Sequence, residues 1–142
     1  MWANFKSMPV LLKLLTFHAL VCLSVFLVSV VPRDHFVLDS HNVSYGEWWS
    51  SGAGPLFAVL GLAMAVAGFL FLSKIGFGRV IYLAVFGGCL TIPFMLSHDF
   101  LPAAMGASIA FAMGYYLFKS QGIRAYFASN NSLGDFRSTP GA

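Results

Sequence analysis

The side chains that could do chemistry in this chain are imidazoles and carboxylates, and they collect in two short stretches, residues 34–47 and 98–99. The candidates are His35, His41, His98, Asp34, Asp39 and Asp99, with Glu47 beside them. These residue types bind zinc and other divalent metals. A site for a metal or a small polar ligand is therefore one interpretation of the sequence.

The spacing of these residues does not favour that interpretation. Asp34-His35 and His98-Asp99 are adjacent pairs on separate segments, and no H-E-x-x-H or C-x-x-C motif orders them. Ordering a long loop around an ion needs several ligands at fixed spacing, because fixing each residue costs conformational entropy. We therefore expect solvated loop side chains and no bound cofactor, with the ligand site as the alternative.

Two further polar side chains, His18 and Cys22, lie inside an apolar stretch. Their i, i+4 spacing places them on one face of a helix. An ionisable residue within a membrane is a functional candidate because its burial is costly, but a neutral imidazole can also hydrogen-bond to a neighbouring helix. The sequence favours the second interpretation. A bis-histidine haem would need another histidine at the same depth, from a second chain.

Four apolar blocks must position these side chains. Of 142 residues, 58% are hydrophobic and only 9% are charged, against about 25% charged in soluble domains. The blocks cover residues 10–31, 55–72, 80–96 and 101–118. Each has about the length of a membrane-spanning helix. We predict an all-α fold, an integral membrane four-helix bundle in residues 1–128, with an outer loop at 32–54 and a flexible cytoplasmic tail at 129–142.

Basic residues predict the orientation of the bundle. Of the 8 Lys and Arg residues, only Arg33 lies in the outer loop, and the others lie at the opposite ends of the blocks or in the tail. Cytoplasmic segments of membrane proteins carry an excess of Lys and Arg. Both termini are therefore predicted to be cytoplasmic. The short links after the second and third blocks make the last three helices antiparallel neighbours.

Small residues repeat at four-residue spacing in the second and fourth blocks. The lines are Gly61 with Ala65, Gly106 with Ala110 and Gly114, and, beside the latter, Ala104 with Ser108 and Ala112. Such lines let helix backbones approach closely where lipid offers no hydrophobic driving force. They predict helix packing within the bundle or, as the alternative, docking onto a second subunit.

The C-terminal segment "GYYLFKSQGIRAYFA" resembles the end of the last helix in uncharacterised small four-helix bacterial inner-membrane proteins, which carry a similar basic Arg-Ala-Tyr-Phe-like ending. The resemblance is confined to this segment. It implies four helices, a bacterial inner-membrane location and no known activity.

Missing motifs narrow the function. The blocks contain no acidic residue, no Gly-rich phosphate loop with its lysine and no G-x-S-x-G elbow. We therefore expect neither an enzyme nor a nucleic-acid partner. The favoured interpretation is a non-catalytic accessory or regulatory subunit of a membrane complex, in contact with lipid and with a partner protein or a second copy. The alternatives are a small-ligand or metal binding or transport protein with its site at the outer mouth, and a membrane immunity protein.

Overall fold

Each of the four apolar blocks folds as one long helix in the computed structural model, which describes residues 2–38 and 40–128. The helices are α1 (Trp2–Ser7), α2 (Val10–Val30), α3 (Tyr45–Ser50), α4 (Ala53–Leu72), α5 (Phe77–Leu96), α6 (Phe100–Lys119) and α7 (Gln121–Ala128). The four long helices, α2, α4, α5 and α6, are long and apolar enough to cross a membrane. The predicted all-α fold is confirmed, with one small hairpin added. Asp39 and the tail predicted from residue 129 lie outside the described residues.

The turn between α4 and α5 is closed by a residue with left-handed backbone. Lys74 has φ 57°, and its N–H donates to the Phe71 carbonyl at 3.1 Å while the Ile75 N–H donates to the Leu70 carbonyl at 2.9 Å. These two bonds satisfy carbonyls that the end of a helix leaves free. The turn between α5 and α6 repeats the arrangement with His98 at φ 61°. The two turns make α4, α5 and α6 antiparallel.

The long helices pack in the order α2, α4, α5, α6. α2 lies along α4, α4 along α5 and α5 along α6, whereas α2 and α6 are not extensively packed together in the described chain. α2 also touches α5 through the His18 side chain. The arrangement therefore has one central pair of helices, α4 and α5, and two outer helices.

Charge separates the two ends of this arrangement. Asn4 Nδ2 donates to the Leu72 carbonyl at 2.9 Å and Arg79 Nη1 donates to the Leu117 carbonyl at 3.3 Å, which gathers α1, α4, α5 and α6 at one end. We call it the basic end, and its charged residues in the described chain are Lys6, Lys13, Lys74, Arg79, Lys119 and Arg124. The opposite end, which we call the acidic end, carries Arg33, Asp34, Glu47 and Asp99. The described chain starts and finishes at the basic end.

Side-chain burial is concentrated towards the basic end. The most deeply buried large side chains are Leu12, Thr16, Phe71, Tyr82, Leu117 and Ile123. Helix α7 closes this end, since Ile123, Tyr126 and Phe127 are buried and the Tyr126 hydroxyl donates to the Phe71 carbonyl at 3.0 Å. At the acidic end, by contrast, every residue from 92 to 102 is exposed. The side chains around the turn between α5 and α6 are thus exposed, whereas those at the basic end are packed.

Candidate functional site

The segment predicted as an outer loop, residues 32–54, contains ordered structure. Strands β1 (Phe36–Leu38) and β2 (His41–Val43) form an antiparallel hairpin in which Phe36 pairs with Val43 and Leu38 with His41. The hairpin is an addition to the predicted all-α fold. Its turn includes Ser40 in the left-handed region, with φ 68°.

A capping box begins α3 directly after the hairpin. The Glu47 N–H donates to Ser44 Oγ at 3.3 Å, and the Ser44 N–H donates to Glu47 Oε2 at 2.7 Å. Ser44 Oγ also donates to Glu47 Oε2 at 2.8 Å. These bonds favour the charged carboxylate and hold the pKa of Glu47 below its ordinary value, the backbone bond first and the hydroxyl bond second. Glu47 therefore acts as a cap and is engaged within its own turn.

Trp48 fixes the segment onto the long helices. Its ring stacks on Phe36 of the hairpin, with centroids 5.1 Å apart, and on Phe57 of α4, with centroids 5.6 Å apart. Tyr45 adds a hydrogen bond of 3.0 Å from its hydroxyl to the Val30 carbonyl at the end of α2. Trp48 is 8% exposed, so the aromatic stack forms a small core of its own at the acidic end.

The predicted outer ligands are not brought together. His35, His41, His98, Asp34 and Asp99 are all exposed. Within residues 2–38 and 40–128, no group of three or more His, Cys, Asp or Glu side chains could hold a metal ion; Asp39, the remaining predicted ligand, lies outside those ranges.

Local structure explains where two of these residues lie. His98 occupies the left-handed position of the α5–α6 turn, and the Asp99 carboxylate accepts a hydrogen bond from Ser97 Oγ at 2.9 Å. The pair His98-Asp99 therefore belongs to a helix-ending turn.

The second predicted site, His18 with Cys22, makes a specific contact between helices. His18 Nδ1 lies 3.0 Å from the hydroxyl of Tyr82 on α5, and its Nε2 lies 4.0 Å from Cys22 Sγ. The imidazole also meets the Phe86 ring edge-on, with centroids 5.7 Å apart. A neutral imidazole both donates and accepts, so it can bond a hydroxyl with either tautomer. The bond links α2 to α5 and is the polar contact that the sequence favoured for His18.

A crevice of about 260 Å³ lies beyond this bond, towards the acidic end. Its walls come from α2, α4 and α5 and include His18, Cys22, Phe57, Val85, Cys89 and Leu90. We call it the crevice. Both cysteines are free thiols. The crevice is open and almost entirely apolar, with the imidazole as its polar group.

Two of the three predicted small-residue lines, the one through Gly61 and the one through Gly106 and Gly114, face helices of the same chain. A Cβ on Gly61 would lie 2.6 Å from the Phe26 backbone nitrogen of α2. A Cβ on Gly106 would overlap the Leu90 carbonyl of α5, and one on Gly114 would lie 3.0 Å from Leu83 Cδ2.

The two alanines of these lines lie in the same interfaces. Ala65 is 1% exposed, and the Ala110 Cβ lies 3.1 Å from where a Cβ on Gly87 would be. The adjacent line on α6, Ala104 with Ser108 and Ala112, is exposed instead. For the lines through Gly61 and Gly106, the two alternatives were packing within the bundle and docking onto a second subunit. The contacts in this structure are those within the bundle.

Three partners in these contacts are not evident from the sequence. Tyr82 lies 64 positions from His18, and no motif connects them. Phe36 and Phe57 flank Trp48 from different elements, and no motif in the sequence connects the three.

Together, the fold and these contacts describe an all-α chain with four helices of membrane-spanning length and apolarity, without a metal-ligand cluster among the described residues. Comparisons with known protein families, with curated proteins and with solved structures return no match.

Proposed function

We propose that the chain is an integral membrane protein that acts without catalysis, by binding another membrane protein through its helices. The four long apolar helices support insertion. The separation of charge supports an orientation with the basic end in the cytoplasm, because Lys and Arg are retained there during insertion. A reporter that is active only outside the cytoplasm should work when fused within residues 32–54 and fail after Ala142. The opposite result would overturn the orientation.

The observation that carries the association is the uneven packing of the long helices. The basic end is closed by α7, whereas residues 92–102, around the turn between α5 and α6, are exposed at the acidic end, and the crevice opens between α2, α4 and α5. Lipid tails give no hydrophobic driving force for helix association, so close shape complementarity decides which helices bind. The crevice offers a concave surface of this kind.

The volume of the crevice favours side chains of a partner helix over a small ligand. Its 260 Å³ or so lies below the roughly 300–1,000 Å³ that is typical of ligand pockets. A transmembrane helix of another protein, with one or two large apolar side chains inserted beside Val85 and Leu90, is the proposed occupant. The His18 imidazole, which bonds the Tyr82 hydroxyl, lies at the edge of the contact.

A matched pair of variants on α5 tests this interface. Cys89 lines the crevice, whereas Ala84 is exposed on the same helix and does not line it. Purification from native membranes in mild detergent should recover a stoichiometric partner with the unchanged chain and with Ala84→Phe. The partner should be lost with Cys89→Phe, because the new ring fills the crevice.

Two results would count against the proposal. Retention of the partner by Cys89→Phe would move the interface elsewhere. Recovery of a lone chain with one bound metal ion would favour the binding or transport alternative instead.

A further inference from the structure

A second cavity lies at the basic end and shares no lining residue with the crevice. It has a volume of about 420 Å³ and is lined by Lys74, Gly76, Arg79, Phe118, Arg124 and Phe127, with Ala128 at its rim. We call it the basic pocket. Three of these residues are cations, and no acid lines the pocket in the described part of the chain. The pocket is within the size range of small-molecule sites.

Arg79 is held in a fixed position in the basic pocket. Its Nε donates to the Gly76 carbonyl at 3.2 Å, and its Nη1 donates to the Leu117 carbonyl at 3.3 Å. Its guanidinium carbon lies 4.7 Å from the centroid of the Phe127 ring and 5.0 Å from that of Phe118. Two hydrogen bonds and two cation–π contacts fix the plane of the guanidinium before any ligand arrives.

Part of the guanidinium remains available. Arginine has five N–H donors, and the two bonds to carbonyls leave those of Nη2 without a partner among the described residues. A Cβ on residue 76 would lie 2.9 Å from Nη2, so the glycine makes room for the group. A fixed guanidinium with free donors suits a planar pair of oxygens on a phosphate or carboxylate.

Two further cations contribute to the positive potential in the basic pocket. The Lys74 ammonium lies 5.1 Å from the Tyr126 ring centroid, and Arg124 is exposed on α7. Like charges that share a cavity repel one another, and a bound anion offsets that repulsion. Several cations around one cavity therefore favour an anion over a neutral ligand.

We infer that the basic pocket binds a phosphate group, supplied either by the headgroup of an anionic lipid or by a free phosphate. Basic pockets between helices on the cytoplasmic side of membranes bind such headgroups. A lipid can be the source of the phosphate only if the chain is inserted in a membrane, as proposed above. The inference does not depend on the proposed partner protein, because the crevice and the basic pocket share no lining residue.

The test uses the full chain in a neutral detergent after removal of native lipid. Phosphatidylglycerol, phosphatidylcholine or inorganic phosphate is titrated, with thermal unfolding and native mass spectrometry as the measurements. We expect saturable stabilisation with one retained phosphatidylglycerol, and little effect of the zwitterionic lipid. Equal stabilisation by inorganic phosphate at the same concentration would identify a soluble phosphate as the source and still support the phosphate site.

Two charge-matched variants separate a built site from general attraction. Arg124 lines the basic pocket, whereas Lys119 is exposed at the same end and does not line it. Arg124→Gln should weaken phosphatidylglycerol binding by about tenfold, the size of one lost charge-assisted hydrogen bond, while Lys119→Gln leaves it nearly unchanged. Both variants should keep the unfolding temperature of the lipid-free protein.

Two outcomes would overturn the inference. The first is an equal loss of binding in Arg124→Gln and Lys119→Gln, which would mean attraction to the whole basic end. The second is the absence of saturable binding by any of the three probes. Neither outcome bears on Cys89→Phe and its partner, so failure here is distinguishable from failure of the proposed function.

Discussion

Gly61→Ala is the substitution whose cost the structure specifies most directly. The new methyl would lie 2.6 Å from the Phe26 nitrogen and 2.9 Å from the Cys22 carbonyl oxygen, whereas ordinary contact begins at 3.4 Å. Both neighbours are backbone atoms of α2, so no side chain can rotate away. The helices α2 and α4 must separate locally by about 0.8 Å, the size of gap that removes a quarter to a half of the dispersion energy of each affected contact.

We expect Gly61→Ala to lower the free energy of unfolding by about 2 kcal/mol, within the range of overpacked interiors. At about 2–4 °C per kcal/mol for a chain of this size, the unfolding temperature in detergent should fall by about 4–8 °C. Differential scanning fluorimetry of the tryptophans gives this temperature directly.

Gly88→Ala is the matched control for this substitution. A Cβ there would meet only Ile92 Cδ1, at 3.5 Å, which is ordinary contact. Because alanine is the better helix former by up to about 1 kcal/mol, Gly88→Ala should be neutral or stabilising. If both variants unfold at the same temperature, the close approach of α2 and α4 at Gly61 does not exist as described.

Three other outcomes are expected. His98→Gly should stabilise the protein by about 1 kcal/mol in the same thermal assay, because glycine has no Cβ to oppose the left-handed backbone; a loss of stability would contradict this account of the turn. Tyr82→Phe should cost about 1 kcal/mol by removing the hydroxyl that bonds His18, and a double variant with His18→Leu should show a coupling between the two positions; strict additivity would argue against the bond. Since the pKa of Glu47 is lowered in the folded chain, its contribution to α3 is present above the ordinary carboxyl pKa and is lost as the pH falls through the folded value. The emission of Trp48 should then shift to longer wavelength on acidification, and Glu47→Ala should have the shifted emission already at neutral pH.

The four long helices could be predicted from the sequence because each apolar block by itself has the length and composition that favour a helix. A long apolar run that must satisfy its own backbone hydrogen bonds has the helix as its main solution. The structured helices begin and end within a few residues of the predicted spans: α4 starts at Ala53 where the span was placed from residue 55, and α5 starts at Phe77 where it was placed from residue 80.

The hairpin could not be predicted because its strands are short and its turn lacks the usual signal. β1 and β2 have 3 residues each, and two-residue hairpin turns favour Asn-Gly or Asp-Gly. The sequence has Ser40 at a position with φ 68°. Packing of Phe36 against Trp48 stabilises what the local sequence does not specify.

The candidate sites also depend on contacts between elements that the local sequence does not specify. Small-residue spacing predicted that Gly106 lies at a helix contact, but it did not predict that the neighbouring helix is α5. Spacing identifies the packed face of a helix and does not identify the helix that packs against it. The His18–Tyr82 bond depends on the relative depth of two helices far apart in the chain. The basic pocket arises because α7 turns back over the ends of α4 and α5, and no local pattern encodes that return.

The stacking of Trp48 between Phe36 and Phe57 has a consequence for hydrogen exchange. An isolated two-stranded hairpin is marginally stable in water, so its amide hydrogens would exchange with solvent as fast as those of loops. Here the hairpin opens only when the Trp48 ring leaves both of its neighbours, one of which belongs to α4. The ladder amides of Val43 and Phe36 should therefore exchange together with the first turns of α4, as one cooperative unit. The deuterium uptake of the six paired hairpin residues would then indicate whether the start of α4 is folded.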